Sequence, residues 1–292
     1  MDKVSVIIPA FNHAEFLGDA IKSVKNSIHS AYEILVIDDG STDNTKAIAC
    51  KYKEVNYYYK ENGGAPSAIN FGIKKSTGDY IAILNDDDTY GREHLSVALL
   101  NMRTYGNELF IGAPKIIGEG RKYSELKNSI YLANLEIENW GLISSLFRIN
   151  WAMSTSSFVF SKKIANEING FQNFSLCHDL DFLLRVIFEA RASVGTCKSP
   201  TWQYRCHFSN SVSFIDPIVG FAEILYVLGR VYYQFHGEHT SSSFATMVGY
   251  GIDSVFIEKV MEAKPWVLKE KQTLSESISS WVQYFSEWSS RF

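Results

Sequence analysis

Apolar and polar residues alternate in blocks along the first 115 residues. Apolar or aromatic runs typical of strands lie at residues 4–9, 33–37, 55–59, 80–84 and 109–113. Segments with the apolar spacing of helices lie at residues 14–26, 43–52, 66–75 and 92–104. Strands that alternate with helices of this length predict parallel β-α-β units. We therefore expect an α/β fold, with an open, mostly parallel sheet covered by helices on both faces.

Two of the predicted helices begin with local signals. Asn12 followed three residues later by Glu15 has the pattern of an N-cap and an acid in the first turn. Pro66 suits the first turn of the third helix, where its missing N–H costs no hydrogen bond.

The pattern is less regular beyond residue 115. Residues 115–150 predict loop and helix over the edge of the sheet, residues 157–161 a strand, and residues 179–189 a helix. From residue 218 onward, apolar and aromatic residues recur at helical spacing, so we expect a helical C-terminal appendage at residues 215–292.

Composition narrows the class of protein. The 292 residues include 28 Lys plus Arg and 32 Asp plus Glu, a formal net charge of −4, which disfavours nucleic-acid binding by phosphate neutralisation. The four cysteines form no C-x-x-C pair, as is typical of a reducing compartment. No signal-peptide pattern and no apolar run of membrane-spanning length is visible, so we expect a cytoplasmic protein.

Seven of the 13 aspartates lie in three clusters, which are Asp38-Asp39, Asp86-Asp87-Asp88, and Asp179 with Asp181. The first two clusters follow predicted strands, where open α/β sheets bind ligands. A divalent cation would relieve the repulsion between adjacent carboxylates and bridge to phosphate oxygens, so residues 85–88 predict a Mg²⁺ or Mn²⁺ site. Helix capping and turn geometry are the alternatives for these acids.

The loop after the first strand argues against two common phosphate-binding classes. It reads Pro9-Ala10-Phe11-Asn12, without the glycines of a dinucleotide-binding turn, and the chain has no G-x-x-x-x-G-K-[ST] loop. A phosphorylated ligand would need its charge neutralised by other means, such as the predicted cation.

Several motifs together resemble glycosyltransferase family 2, the inverting enzymes of the GT-A fold. The resemblance is close over the first 100 residues and looser to about residue 190. It rests on Pro9-Ala10-Phe11-Asn12, Asp38-Asp39-Gly40-Ser41-Thr42-Asp43, Asn62-Gly63-Gly64, Asn70-Phe71-Gly72, Gly78-Asp79-Tyr80-Ile81-Ala82, Asn85-Asp86-Asp87-Asp88 and the segment from Gly170 to Arg185.

The resemblance implies a role for each matching position. Phe11 and Asp39 would hold the nucleobase, usually uracil. The nucleotide site as a whole would comprise Pro9, Ala10, Phe11, Asp38, Asp39, Asn70 and Asp86. Asp87, with Asp88 or Asp86, would bind the metal on the donor diphosphate, and His207 would complete that site or contact the diphosphate. Asp179 would be the general base that takes the proton of the acceptor hydroxyl.

Structural roles without any catalytic function are the alternatives for some of these residues. Asp179 and Asp181 would also suit the N-terminus of a helix simply as favourably placed acids. His207 would also suit a packed or surface imidazole.

The implied activity is metal-dependent inverting transfer of one hexosyl or N-acetylhexosaminyl group. The donor would be a nucleoside diphosphate sugar, usually a UDP-sugar, and the acceptor a hydroxyl of a glycan or lipid-linked glycan, as in polysaccharide biosynthesis. Residues 1–214 would form the GT-A domain, with a nucleotide-binding half at 1–100 and an acceptor and catalytic half at 101–214. The C-terminal helices would pack on this domain, or contact the inner face of a membrane or a partner protein.

Three departures from the family pattern keep a second hypothesis open. Asn85 replaces the first acid of the usual D-x-D, Ile69 replaces an arginine, and His178 replaces the acid before the base. A catalytically silent nucleotide-sugar or glycan-binding module would accommodate all three. A nucleotidyltransferase would need a Gly-rich loop with Arg and Lys near the first strand, and residues 9–15 have neither.

Overall fold

A computed structural model describes residues 2–119, 121–140 and 154–207, with positions 142, 150, 223, 224 and 227. The chain divides into two compact units, Met1–Asn210 and Ser211–Phe292. Apart from three positions, the helical region predicted at residues 215–292 lies outside the described residues. The predicted domain boundaries stay predictions.

Eight strands and seven helices occur in the described part of the first unit. The strands are β1 (Val4–Ala10), β2 (Glu33–Asp38), β3 (Val55–Tyr59), β4 (Tyr80–Ile83), β5 (Thr89–Tyr90), β6 (Leu109–Ile117), β7 (Phe158–Ser161) and β8 (Val194–Arg205). The helices are α1 (Ala14–Lys25), α2 (Thr45–Ala49), α3 (Ala65–Lys75), α4 (His94–Tyr105), α5 (Arg121–Trp140), α6 (Lys162–Glu167) and α7 (His178–Phe188). A short 3₁₀ turn at Thr155–Ser157 precedes β7.

All eight strands form one mixed sheet in the order β3-β2-β1-β4-β7-β6-β8-β5. β7 is antiparallel to both of its neighbours, and β5 is antiparallel to β8, whereas the other described pairings are parallel. Six strands therefore run in one direction and two in the other. The α/β class predicted from the sequence is confirmed.

The core lies on both faces of the central strands. Every residue of β1 is buried, and α1 buries an apolar stripe that includes Leu17, Ile21 and Val24. Helix α3 packs closely on β1 at Gly72. A Cβ added there would lie only 2.5 Å from the Cγ2 atom of Ile7, so the close approach needs glycine. This close packing fixes β1, which pairs with β2 and β4, the two strands that lead into the first two aspartate clusters.

The predicted N-cap of α1 was wrong. The N-cap is His13, and Asn12 has a left-handed backbone with φ of 56°. The Asn12 Oδ1 atom accepts a hydrogen bond of 2.8 Å from the N–H of Thr42, while the N–H of Ala14 donates to Asp43 Oδ2 at 2.9 Å. The first turn of α1 is therefore capped by the loop after β2, which ties two loops of the same sheet edge together.

The strands β5 and β8 and the helix α6 were not predicted. β8 contains Lys198, Ser199 and Pro200, which break any alternating pattern, and its pairing with β6 has register shifts at that point. β5 has two residues. Among the described residues, no helix is both long and apolar enough to cross a membrane.

Candidate active site

The candidate site lies at one edge of the sheet, where the carboxyl ends of β1, β2, β4, β6 and β8 meet. Main-chain hydrogen bonds fasten neighbouring loops at this edge. The N–H of Asp39 donates to the Ala10 carbonyl at 2.8 Å, and the N–H of Lys60 donates to the Asp38 carbonyl at 2.9 Å.

Two side chains of the acidic loop at residues 85–88 anchor that loop. Asn85 Nδ2 donates to Ser154 Oγ at 3.1 Å. Asp88 is buried, and its oxygens accept from Ser156 Oγ at 2.6 Å and from the Arg205 N–H at 3.0 Å. Burial, followed by the neighbouring carboxylate charge, raises the pKa of Asp88 well above its ordinary value. These contacts join the loop to the 3₁₀ turn and to β8, while metal binding by Asp88 stays a prediction.

Asp86 links the acidic loop to the loop after β1. Its Oδ2 atom accepts a hydrogen bond of 2.9 Å from the Phe11 N–H, and its Oδ1 atom lies 3.0 Å from His13 Nδ1. Burial raises the pKa of Asp86 to about 6, although the hydrogen bond with His13 acts in the opposite direction. Asp86 thus holds a backbone position and a histidine ring.

Asp87 and His207 meet beside this link. The Nε2 atom of His207 lies 3.0 Å from Asp87 Oδ2, and both side chains are half-buried. With His13 they form a group whose three ligand atoms all lie within 4.8 Å of one another. The structure therefore brings the predicted metal residues Asp87 and His207 together, and it adds a histidine that the sequence analysis missed.

A carboxylate and imidazole nitrogens at this spacing fit a divalent first-row ion such as Mn²⁺. Two ligands at right angles on an ion about 2.1 Å away stand about 3.0 Å apart, which matches the His207–Asp87 separation.

An aromatic and cationic wall borders this group. The Phe16 ring lies 4.7 Å from the His207 ring, measured between centroids, and the Arg205 guanidinium lies 4.9 Å from the centre of the Phe16 ring. Arg205 Nε also donates to the Asp87 carbonyl at 3.0 Å. Arg205 brings positive charge next to the acidic loop, and sequence reasoning assigned it no role.

The two acids after β2 are deeply engaged within the protein. Asp38 accepts from the Ser41 N–H at 2.8 Å and from the Tyr57 hydroxyl at 2.6 Å. Asp39 pairs with Lys60 and accepts from the N–H of Gly64 at 2.7 Å. Both carboxylates are buried and shape the loops around the site.

The residues predicted to line the nucleotide differ in exposure. Pro9 and Ala10 are buried at the end of β1, whereas the Phe11 side chain is 46% exposed at the edge of the sheet. Asn70 lies in α3, where its amide forms two hydrogen bonds of 2.7 and 2.8 Å with the main chain of Phe171. Phe11 thus has a ring surface open to a ligand, and Asn70 fixes the segment before α7.

Asp179 is buried in the first turn of α7. Burial raises its pKa, against the lowering effects of the nearby His178 charge and of hydrogen bonds that include one from the Asn150 side chain. The pKa of Tyr204 is raised, first by burial and then by nearby negative charges that include Asp88, Asp87 and Asp179. Asp179 therefore lies within electrostatic range of the same side chain as the acidic loop.

Asp181, two residues further on, has a structural partner. Its Oδ2 atom lies 2.8 Å from Arg185 Nε, and both side chains are almost fully buried. Arg185 also donates to the carbonyls of Ile168 and Gly170, each at 2.6 Å. This network holds α7 against the segment that Asn70 fixes.

A family model described as glycosyl transferase family 2 matches residues 5–168. The chain belongs to this family. The match runs from the second residue of β1 through β7 and includes the whole acidic loop, and it ends before α7, which carries Asp179.

Curated glycosyltransferases match part of the chain. A glycosyltransferase of Rickettsia conorii is 37% identical over 138 residues, which are 46% of this chain and 23% of that protein. The putative teichuronic acid biosynthesis glycosyltransferase TuaG of Bacillus subtilis is 34% identical over 101 residues, which are 33% of this chain and 40% of that protein. The chain therefore aligns with well under half the length of either relative.

Solved structures of two other proteins have a similar fold. S. aureus TarS 1–349, crystallised with UDP-GlcNAc, has a TM-score of 0.63 at 16% identity, with 97% of this chain and 79% of that chain covered. Glucosyl-3-phosphoglycerate synthase from Mycobacterium tuberculosis, crystallised with Mn²⁺, UDP-glucose and phosphoglyceric acid, has a TM-score of 0.55 at 16% identity, with 78% and 80% covered. The predicted GT-A-type fold is confirmed.

The three residues that depart from the family pattern have different positions and contacts in the structure. Ile69 is fully buried in α3, so its side chain belongs to the core. Asn85 hydrogen-bonds to the 3₁₀ turn through Ser154 and Thr155. His178 begins α7 directly before Asp179.

Proposed function

We propose that this protein is a metal-dependent inverting glycosyltransferase that moves one sugar from a UDP-sugar to a hydroxyl of a glycan or lipid-linked glycan. One observation carries the proposal. An exposed aromatic ring at Phe11, the Asp86 link and the Asp87–His207 pair lie together at the carboxyl edge of a family 2 sheet.

Phe11 supports the nucleotide half of the proposal. Its ring is the exposed aromatic surface after β1, and its main chain is held by Asp86. A base stacked on this ring would have its diphosphate directed towards Asp87, one residue along the acidic loop. The two structures of similar fold that contain a UDP-sugar favour a uridine nucleotide.

The metal half rests on the donor atoms around Asp87. Asp87 and His207 would hold Mn²⁺ or Mg²⁺, with phosphate oxygens and water in the remaining positions. The bound ion would supply positive charge to the diphosphate as it leaves. Arg205 would add a fixed cation on the same side.

Asp179 would be the general base of a single displacement. The acceptor oxygen would bond to the anomeric carbon as its proton passes to the Asp179 carboxylate. The bond from that carbon to the diphosphate oxygen would break, and its electron pair would leave with UDP. A buried carboxylate with a raised pKa is a stronger base than a solvated one, which suits this role.

The acceptor is proposed only as a class of molecule. The name of the Bacillus subtilis relative refers to teichuronic acid biosynthesis, which supports a polysaccharide or its precursor as the acceptor. The predicted cytoplasmic location and the contacts of the C-terminal region with a membrane or partner belong to the same proposal.

Release of UDP from a panel of UDP-sugars, with Mn²⁺ and acceptor extracts, tests the proposal. We expect release with the wild type, loss with Asp179→Asn, and full release with Asp79→Asn, a matched change at an exposed aspartate before β4. Release that survives Asp179→Asn would contradict the role of the base. UDP binding without any release would favour the silent binding module instead.

A further inference from the structure

We propose that His13 is a third protein ligand of the cation at Asp87 and His207, and that this ligand set selects Mn²⁺ over Mg²⁺. The inference rests on the proposed function, because it concerns the metal site of the same reaction. It adds a residue that neither the acidic motif nor the downstream histidine segment indicates.

The three side chains converge on one point. One ligand atom from each of His13, Asp87 and His207 lies within 4.8 Å of the other two. The rings of His13 and His207 stand edge to face, with centroids 5.4 Å apart and planes at 88°. Ligands on an octahedral ion about 2.1 Å away lie about 3.0 Å apart at right angles and about 4.2 Å apart when opposed. The three atoms are therefore close enough for side-chain movements to bring them to these separations around one ion.

Asp86 orients the His13 ring for this role. Its Oδ1 atom lies 3.0 Å from His13 Nδ1, and a carboxylate can only accept, so Nδ1 carries a proton and, in the neutral ring, Nε2 keeps its lone pair. Metal-binding histidines commonly donate their second N–H to a carboxylate in this way. The Phe11 N–H fixes the other oxygen of Asp86, so the orientation is set by the main chain.

The backbone also holds His13 in place. His13 is the N-cap residue of α1 and follows Asn12, whose left-handed conformation is secured by a hydrogen bond from Thr42. His13 is 18% exposed and Asp87 and His207 are each 13% exposed, so the group borders solvent. An ion can reach it, and three of six octahedral positions would remain for phosphate and water.

The ligand types determine the preference among ions. Mg²⁺ prefers oxygen ligands and keeps much of its water, whereas imidazole nitrogen suits first-row transition ions. A site with one carboxylate and two imidazoles therefore favours Mn²⁺ more strongly than a site with one imidazole. If His13 only anchored Asp86, its removal would not change this selectivity.

The test is electron spin-echo spectroscopy of Mn²⁺ bound to the full chain, together with Mn²⁺ titration and Mg²⁺ competition. We expect two coordinated imidazole nitrogens in the wild type and one in His13→Gln and in His207→Gln. Mn²⁺ affinity should fall about 10- to 100-fold in His13→Gln, whereas Mg²⁺ affinity should change much less. His29→Gln is the matched control, because the His29 ring lies against the Asp2 carbonyl, and it should leave both affinities unchanged.

Different results separate the inference from the proposed function. A single coordinated nitrogen in the wild type would overturn the inference, and this measurement needs no variant to fold. An equal loss of Mn²⁺ and Mg²⁺ binding in His13→Gln would also overturn it, while leaving the cation at Asp87 and His207 intact. Mn²⁺ binding unaffected by both Asp87→Asn and His207→Gln would contradict the metal site of the proposed function itself.

Discussion

The main-chain N–H of Phe11 donates a hydrogen bond of 2.9 Å to the carboxylate of Asp86. The loop after β1, which carries the exposed aromatic ring, is thereby fastened to the acidic loop after β4. Since Asp87 is the next residue, the proposed nucleobase surface and the proposed metal ligand keep a fixed spacing. This spacing lets one rigid edge receive both ends of a nucleoside diphosphate.

Replacing Phe11 by alanine should weaken UDP binding. Loss of a stacked base costs about 1–3 kcal/mol, and the 46% exposure of Phe11 leaves its ring accessible for such stacking. Isothermal calorimetry of UDP with Mn²⁺ measures the change. Phe11→Tyr should retain affinity, and Tyr105→Ala, at an exposed aromatic residue of α4, should have no effect. Equal affinity in Phe11→Ala and wild type would remove Phe11 from the nucleotide site.

Transfer should fail at acidic pH because Asp179 must be ionised to accept a proton. Its pKa is raised by burial, so kcat/KM should fall as the pH drops through a value above the ordinary aspartate pKa. Asp179→Asn should lower kcat by about 10²- to 10⁴-fold with UDP affinity retained. A pH–rate profile that stays flat down to the ordinary aspartate pKa would argue against Asp179 as the base.

Gly170→Ala should destabilise the protein more than Gly106→Ala. Both glycines have φ of 69°, so each alanine carries the same left-handed strain of about 1–2 kcal/mol. At Gly170 the added Cβ would lie 2.3 Å from Asn70 Oδ1, whereas nothing lies within 4 Å at Gly106. Thermal unfolding measures both variants, and equal losses would mean that the Asn70 contact yields without cost.

Removal of Asp181 should be costly because it leaves the Arg185 charge buried without its carboxylate. Breaking such a pair costs about 3–5 kcal/mol, so Asp181→Ala should lower the free energy of unfolding by about that amount. The double change Asp181→Leu with Arg185→Met should recover part of the loss, since no buried charge remains. Chemical denaturation tests the pair, and a loss below about 1 kcal/mol in Asp181→Ala would show that water reaches Arg185.

The sequence predicted where the strands of the candidate site end, but it did not predict the contacts that each acidic residue makes there. β1 and β2 are apolar runs followed by turn residues, so their ends were predictable to within a residue or two. The separate contacts of residues 85–88 could not be predicted, because three adjacent aspartates have the same chemistry. The path of the loop places Asp88 against Ser156 and Asp87 against His207.

His13 was missed for a related reason. A single histidine in a loop forms no sequence motif with another metal ligand. His207, which lies close to His13 in space, follows β8, and this strand was not predicted because the residues around Pro200 break its pattern. Asn70 illustrates the opposite case. Its position within a family motif suggested contact with nucleotide, whereas the structure has its amide hydrogen-bonded to the main chain of Phe171.

Proton NMR of the first minutes of UDP-sugar turnover with Mn²⁺ tests the central proposal most directly. An inverting single displacement on an α-linked donor should produce a β-configured product in step with UDP, and Asp179→Asn should produce neither. An α-configured first product, or turnover that persists without the Asp179 carboxylate, would contradict the proposal.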